Sequence, residues 1–397
     1  MKYRLHFDNQ ALVYPNDGGR AHSSFVKRRV TMAGPDWNFH STDIAGAIRR
    51  ITGGTDNPKA IDWRGVRVAH IDTGVRDHPV FGGFGGGNSW VRISAGVNYM
   101  EPGEPPIEPP HDQSGTLIDD AMDWISDLSD KGVDGHGTRT LSVLCGDGDY
   151  KKGTQRSRVG LLPGLPVIPY RVTDTVLLAQ RTVLINIAKA IIHAVDTDCK
   201  VISMSLGFPI MRSGAVGKAI DYAYESGVIV VAAGGQFIDK VTYPGKFSRT
   251  IGVGGHTANR KIWHLGHYSK TMQRFIDVWA PSTDIVRANP GWQDDGRLYD
   301  DVAGEGTSYG TVHVAAAAAL WLRHHGENKL AAHYPKGWQR VEAFRKALRE
   351  GSVPLVEPRG RQPANKTGRL NIHATQKKKL GARASLAIRP KAETQIV

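Results

Sequence analysis

Between Val66 and His325 the chain alternates short, almost wholly apolar runs with amphipathic stretches, and this alternation restricts its possible folds more than any other feature. The runs are VRVAHID, VIPYRV, VISMSLG, VIVVAAGG, TIGVGG and DVWAPS; between and after them come RTVLINIAKAIIHAV, GAVGKAIDYAYESG and TVHVAAAAALWLRHH. A strand without a polar face is covered on both sides, and strands separated by helices pair in parallel. The pattern predicts an α/β fold of three layers, a mostly parallel, doubly wound sheet with helices on both faces. In RTVLINIAKAIIHAV the residues Val183, Leu184, Ile187, Ala190, Ile191 and Ala194 share the helix face that should lie on the sheet. Functional sites of such sheets lie at the carboxyl ends of the strands.

The flanks differ from this core. Residues 1–60 carry the turn signals PNDGG, AGPD and GGTDNP, and read as an N-terminal extension packed on the domain, with a short helix near DIAGAIRRI. Residues 61–376 form the expected domain, and residues 377–397 a Lys/Arg-rich tail, expected to be solvated and disordered. Residues 101–134 hold ten acidic residues against the single Lys131, and begin EPGEPPIEPP.

The N-terminus lacks an apolar segment after a basic one, so no secretory signal is read there, and no stretch approaches the ~18 apolar residues of a membrane span. With only Cys145 and Cys199, a disulfide framework is not expected. A cytoplasmic location is the expectation, with no membrane partner. The net charge of +13 admits an acidic partner. No nucleic-acid motif accompanies that charge, so a generally basic surface is the plainer reading.

Three local signals carry chemistry. In IDTG, Asp72 ends a buried strand; in DGHGTR, His136 opens a helix; in GEGTSYGTVHVAAAAAL, Ser308 follows a glycine-rich turn at a helix start. Singly, each reads as a turn or a helix cap. Together, on strand and helix ends of one parallel sheet, they form a nucleophile, a base and a carboxylate. A serine hydroxyl attacks only when an imidazole takes its proton, and a carboxylate must fix that imidazole's tautomer. At a helix N-terminus the Ser308 amide would face a developing oxyanion, and Gly304 and Gly306 would let the backbone approach a substrate.

The order Asp, His, Ser and these motifs resemble the subtilases, the subtilisin-like serine proteases. The resemblance covers about residues 61–376 and includes VGLLPGLPVIPYRV, VISMSLG, YPGKFSRTIGVGG, DVWAPS and TGRLNIHA. It implies a serine endopeptidase acting on protein or peptide substrates, without a cofactor, with Asp72, His136 and Ser308 as catalytic residues. It also implies that Ser205, Leu206, Gly207 and Gly234 line the substrate site. In GVIVVAAGGQ, Gln236 stands where the family has an oxyanion-binding asparagine, and its longer amide is expected to donate in the same way.

There are two more departures. Val312 replaces the usual proline before His313, which is expected to be a packed core histidine. CGDGDYKKGTQRSRVG lacks the Asn-rich calcium segment and sets Asp147 and Asp149 among Lys and Arg, so no metal is expected there. His264 and His267 read as surface residues, since no further ligands have suitable spacing.

The acidic stretch 101–134 runs into His136. Two readings stand beside each other: a rim that attracts basic peptides, and a solvated loop that pairs with basic surface elsewhere. A catalytically lost binding module, another acyl-transfer hydrolase on the same triad, and a regulatory partner protein also stay open. The full chain, without removal of a pro-domain, is the expected working form.

Overall fold

The computed structural model describes residues 34–84, 89–100, 135–152, 155–176, 178, 180–208, 212–266, 268–291, 296–300, 303–355, 367–386 and 389–394. The acidic stretch 101–134 and His267 lie outside the described residues.

Nine strands occur among the described residues: β1 (Val68–Asp72), β2 (Val97–Asn98), β3 (Asp149–Lys152), β4 (Gln155–Arg158), β5 (Val167–Arg171), β6 (Val201–Met204), β7 (Ile229–Ala233), β8 (Ile251–His256) and β9 (Val278–Pro281). Seven form one sheet in the order β2-β5-β1-β6-β7-β8-β9, with every pairing parallel; β3 and β4 make a separate antiparallel hairpin. The main helices are α1 (Trp37–Thr42), α2 (Ile44–Thr52), α3 (His136–Cys145), α4 (Arg181–Asp196), α5 (Gly214–Ser226), α6 (Thr307–His325), α7 (Gly337–Gly351) and α8 (Ile372–Lys377).

Successive strand residues face opposite layers. In β1, Ala69 and Ile71 join the core under α4 and α5, while Val68 joins the core under α3, α6 and α7. All six residues expected to bury on α4 do so, and Ala188 joins them. Helix α6 is buried on every side from Tyr309 to Leu322, with Ala315 to Ala319 at its middle. It packs against β6, β7, β8 and β9. Small side chains let it lie close to the sheet, and its N-terminus carries Ser308. Val312 is buried within α6, and the helix runs unbroken through the position of the expected proline. Cys145 and Cys199 are free and buried.

The predicted helix near DIAGAIRRI is α2. The Trp37 indole of α1 donates to the carbonyls of Thr283 and Asp284 at 3.2 Å each. Asn38 meets His313 Nε2 of α6 at 3.0 Å. His313 is wholly buried; its Nδ1 reaches the Tyr309 carbonyl at 2.7 Å, and burial pushes its pKa down to about 4.

The expected solvated tail is corrected by its described part, which packs on the domain. The Gly381 carbonyl accepts from Tyr334 Oη (2.8 Å) and from His333 Nε2 (3.0 Å). Glu393 is 4% exposed and accepts from the Ser248 hydroxyl (2.6 Å), the Arg249 amide (3.0 Å) and Arg212 (3.2 Å). Overall basicity misleads here, because one carboxylate among many cations provides the anchor.

Candidate active site

The three signal residues, far apart in sequence, meet at the carboxyl end of β1. Asp72 is the last residue of β1 and is fully buried. His136 is the first residue of α3 and Ser308 the second of α6. His136 Nδ1 lies 2.7 Å from Asp72 Oδ1, and His136 Nε2 lies 3.1 Å from Ser308 Oγ. With the Nδ1 proton given to Asp72, Nε2 is a bare acceptor facing the serine hydroxyl.

Burial alone would raise the Asp72 carboxyl. The facing His136, together with the Thr73 amide that donates to Oδ1 at 2.8 Å, instead holds it below the usual carboxylate range. Asp72 is therefore the ionised partner that an imidazolium needs.

Close backbone contact fixes the start of α3. The Gly137 amide donates to Thr73 Oγ1 at 2.9 Å, and a Cβ on Gly137 would sit 1.9 Å from the Gly74 carbonyl oxygen. No side chain fits there, so this glycine sets how near His136 comes to the end of β1.

Ser308 is braced by Ser205, which follows β6. Ser205 Oγ donates to the Ser308 carbonyl at 3.0 Å, and Ser308 Oγ lies 3.3 Å from the Ser205 carbonyl. The serine proton thus has two acceptors in reach, His136 Nε2 and this carbonyl. Gln236 Oε1 accepts the Thr307 amide at 3.1 Å, which ties the carboxamide to the first turn of α6 and leaves Nε2 as its donating end.

The remaining residues expected around a substrate have varied surroundings. Leu206 is buried in the core under α4 and α5. Both backbone groups of Gly207 are engaged: its amide with the Val176 carbonyl at 3.2 Å, its carbonyl with the Leu178 amide at 3.0 Å. Gly234 turns inward, where a Cβ would meet Tyr268 Oη at 2.5 Å. Its neighbour Gly235 faces Gly207 instead, across Thr242. A Cβ on Gly207 would lie 2.6 Å from Thr242 Oγ1, and one on Gly235 2.7 Å from Thr242 Cγ2. Thr242 Oγ1 is buried and has no hydrogen-bond partner among the described residues. The sequence gives no sign of Thr242, because only folding brings it between the two glycine-bearing segments. At Gly304 a Cβ would strike the Tyr309 ring at 2.5 Å.

His264 is exposed, and among the described residues no three His, Cys, Asp or Glu side chains cluster as metal ligands would. No helix among them is long and apolar enough to cross a membrane.

A parallel sheet with a hydrogen-bonded Asp–His–Ser series at its carboxyl edge is the arrangement of a serine hydrolase. Residues 63–345 match the profile of the subtilase family, and the chain belongs to that family. It is 28% identical over 246 residues to the "Thermophilic serine proteinase" of Bacillus sp. (strain AK1), a match covering 62% of this chain and 54% of that one. With "Subtilisin BL" of Lederbergia lenta it shares 25% over 278 residues, covering 70% and 83%. Its fold resembles that of MycP1 with the N-terminal propeptide removed (TM-score 0.58, 17% identity, 88% of this chain and 100% of that one). The maturation protease PagA is similar at TM-score 0.52, 20% identity and coverage of 79% and 92%.

Proposed function

We propose that the protein is a serine endopeptidase that cleaves peptide bonds through an acyl-enzyme on Ser308. The observation that carries this reading is the series Asp72 Oδ1···Nδ1 His136 Nε2···Oγ Ser308, at 2.7 and 3.1 Å. His136 takes the Ser308 proton as Oγ attacks the carbonyl carbon, and Asp72 stabilises the imidazolium. His136 then returns the proton to the leaving amine, and water repeats the sequence to release the acid. The Ser308 amide at the α6 N-terminus and Gln236 Nε2 stabilise the oxyanion. A fluorophosphonate probe tests the nucleophile: wild type is labelled and Ser308→Ala is not. A panel of protein and ester substrates then separates a peptidase from an esterase, and labelling of neither form would leave only a binding module.

Gln236→Ala is expected to lower kcat about 10²–10³-fold with KM little changed, because its donor acts on charge that develops only in the transition state. Unchanged kcat would mean that backbone amides suffice.

Thr242 adds a statement about substrates. Its side chain fills the space between Gly207 and Gly235, on two segments expected to border a substrate, and this reading limits the residue before the scissile bond to a small one such as Gly, Ala or Ser. Thr242→Gly should raise kcat/KM for a Phe substrate relative to an Ala substrate by on the order of 10-fold or more, the effect of opening room for apolar atoms. An unchanged ratio would remove Thr242 from specificity. A preference for basic peptides then belongs to residues flanking the scissile one.

A further inference from the structure

His70 is wholly buried in β1, two residues before Asp72, and so projects to the same side of the sheet. It is the one ionisable side chain in β1 besides Asp72, and the chemistry described so far does not use it. Its Nε2 lies 3.1 Å from Thr140 Oγ1, 3.3 Å from the Gly137 carbonyl and 3.8 Å from Asp72 Oδ2. Its Nδ1 is buried without a hydrogen-bond partner among the described residues.

This asymmetry assigns the tautomer. Every acceptor lies on the Nε2 side, and a buried N–H without an acceptor would be the costlier orphan, so the proton sits on Nε2. Burial, acting against the attraction of Asp72, holds the His70 pKa below its ordinary value and keeps the ring neutral at neutral pH.

Thr140 stands four residues after His136, on the same face of α3. Its hydroxyl lies 3.5 Å from Asp72 Oδ2 and within reach of the carbonyls of His136 (3.0 Å) and Gly137 (3.2 Å). Asp72 Oδ1 is committed to the Thr73 amide and to His136. Among the described residues, Oδ2 faces only the Thr140 hydroxyl and the edge of the His70 ring.

We propose that His70 and Thr140 are positioning residues for Asp72: His70 Nε2–H donates to Thr140 Oγ1, and the Thr140 hydroxyl donates to Asp72 Oδ2. The chain fixes the carboxylate rotamer, so that Oδ1 meets His136 along one line, and it moderates the charge that His136 feels. The reading rests on the triad of the preceding subsection. The charged and titratable groups acting on Asp72 are His136 and His70. Nearby Arg76 and Arg139 are directed to the Pro290 carbonyl and to Asp300.

The test compares Thr140→Val, Thr140→Ser and His70→Leu in the full chain. Thr140→Val nearly conserves volume, which guards against a folding artefact. It should lower kcat/KM about tenfold, whereas Thr140→Ser stays within about threefold of wild type. With Oδ2 undonated, the carboxylate attracts the His136 proton more strongly. The His136 titration, read from its imidazole resonances by NMR, should therefore move up by about half a unit in Thr140→Val and in His70→Leu. Adding His70→Leu to Thr140→Val should cost little more, because the two act as one chain. An unmoved His136 titration, equal effects of Val and Ser, or additive losses would overturn the proposal. The NMR readout is independent of turnover: a chain that hydrolyses nothing but shows the shift refutes the peptidase reading and leaves this one standing.

Discussion

Ser308→Ala is expected to lower kcat by on the order of 10⁴-fold or more, and His136→Ala by a similar factor, with the fold intact in both. Ser308 is partly exposed at the start of a helix whose packing lies further along, so losing its oxygen leaves no cavity in the sheet. The two losses should not add, because the hydroxyl and the imidazole act as a unit: the double variant should be about as slow as either single one. Circular dichroism with steady-state kinetics on a peptide amide checks both points. Ser308→Ala with most activity retained would mean that the 3.1 Å contact with His136 has no part in the reaction.

The second large effect concerns stability. Arg345 of α7 is 7% exposed and holds Asp277 Oδ2 at 2.5 Å and Glu342 at 3.2 Å, while donating to the carbonyls of Ser248 (2.9 Å) and Thr250 (3.3 Å). Asp277 in turn accepts the Gly252 amide at 3.0 Å, so this one guanidinium links α7 to the strands β8 and β9. Arg345→Met would leave Glu342, 1% exposed, with the Tyr224 hydroxyl (2.9 Å) but no cation, while Asp277, also 1% exposed, would keep Arg349 at 2.5 Å. The expected loss is about 3–5 kcal/mol, the cost of an uncompensated buried charge. Denaturant unfolding measures it. Adding Glu342→Gln should recover part of the loss, and a loss below about 1 kcal/mol would show that water reaches the site.

The sheet and the meeting of Asp72, His136 and Ser308 were legible because they depend on short-range signals. Short apolar runs rich in β-branched residues and bounded by turn signals read as strands covered on both faces, and IDTG, DGHGTR and GEGTSYG each mark a local turn beside Asp72, His136 or Ser308. The substrate side was less legible. The fate of Ser205, Leu206, Gly207 and Gly234 depends on which way each residue turns, and a one-residue shift reverses it, as Gly234 and Gly235 show. Thr242 and Glu393 were hidden for another reason: each acts across a long loop on partners that sequence spacing does not mark. His70 did leave a trace, as the imidazole in an otherwise apolar strand ahead of Asp72.

The pairing of Gly207 with Val176 and Leu178 has a consequence for kinetics. If a substrate backbone uses the Ser205–Gly207 edge, it competes with Val176 and Leu178 of the enzyme's own chain for the same amide and carbonyl. Binding is then taxed by the rarity of the vacant edge. Were the edge vacant in about one molecule in a hundred, the apparent dissociation constant would stand about a hundredfold above the intrinsic one. Short peptides, with few other contacts, would bear that tax in full, whereas long ones would spread it over more of the cleft. Association would saturate at the rate of unpairing as substrate concentration rises. The enzyme would therefore discriminate by substrate length before it discriminates by side chain.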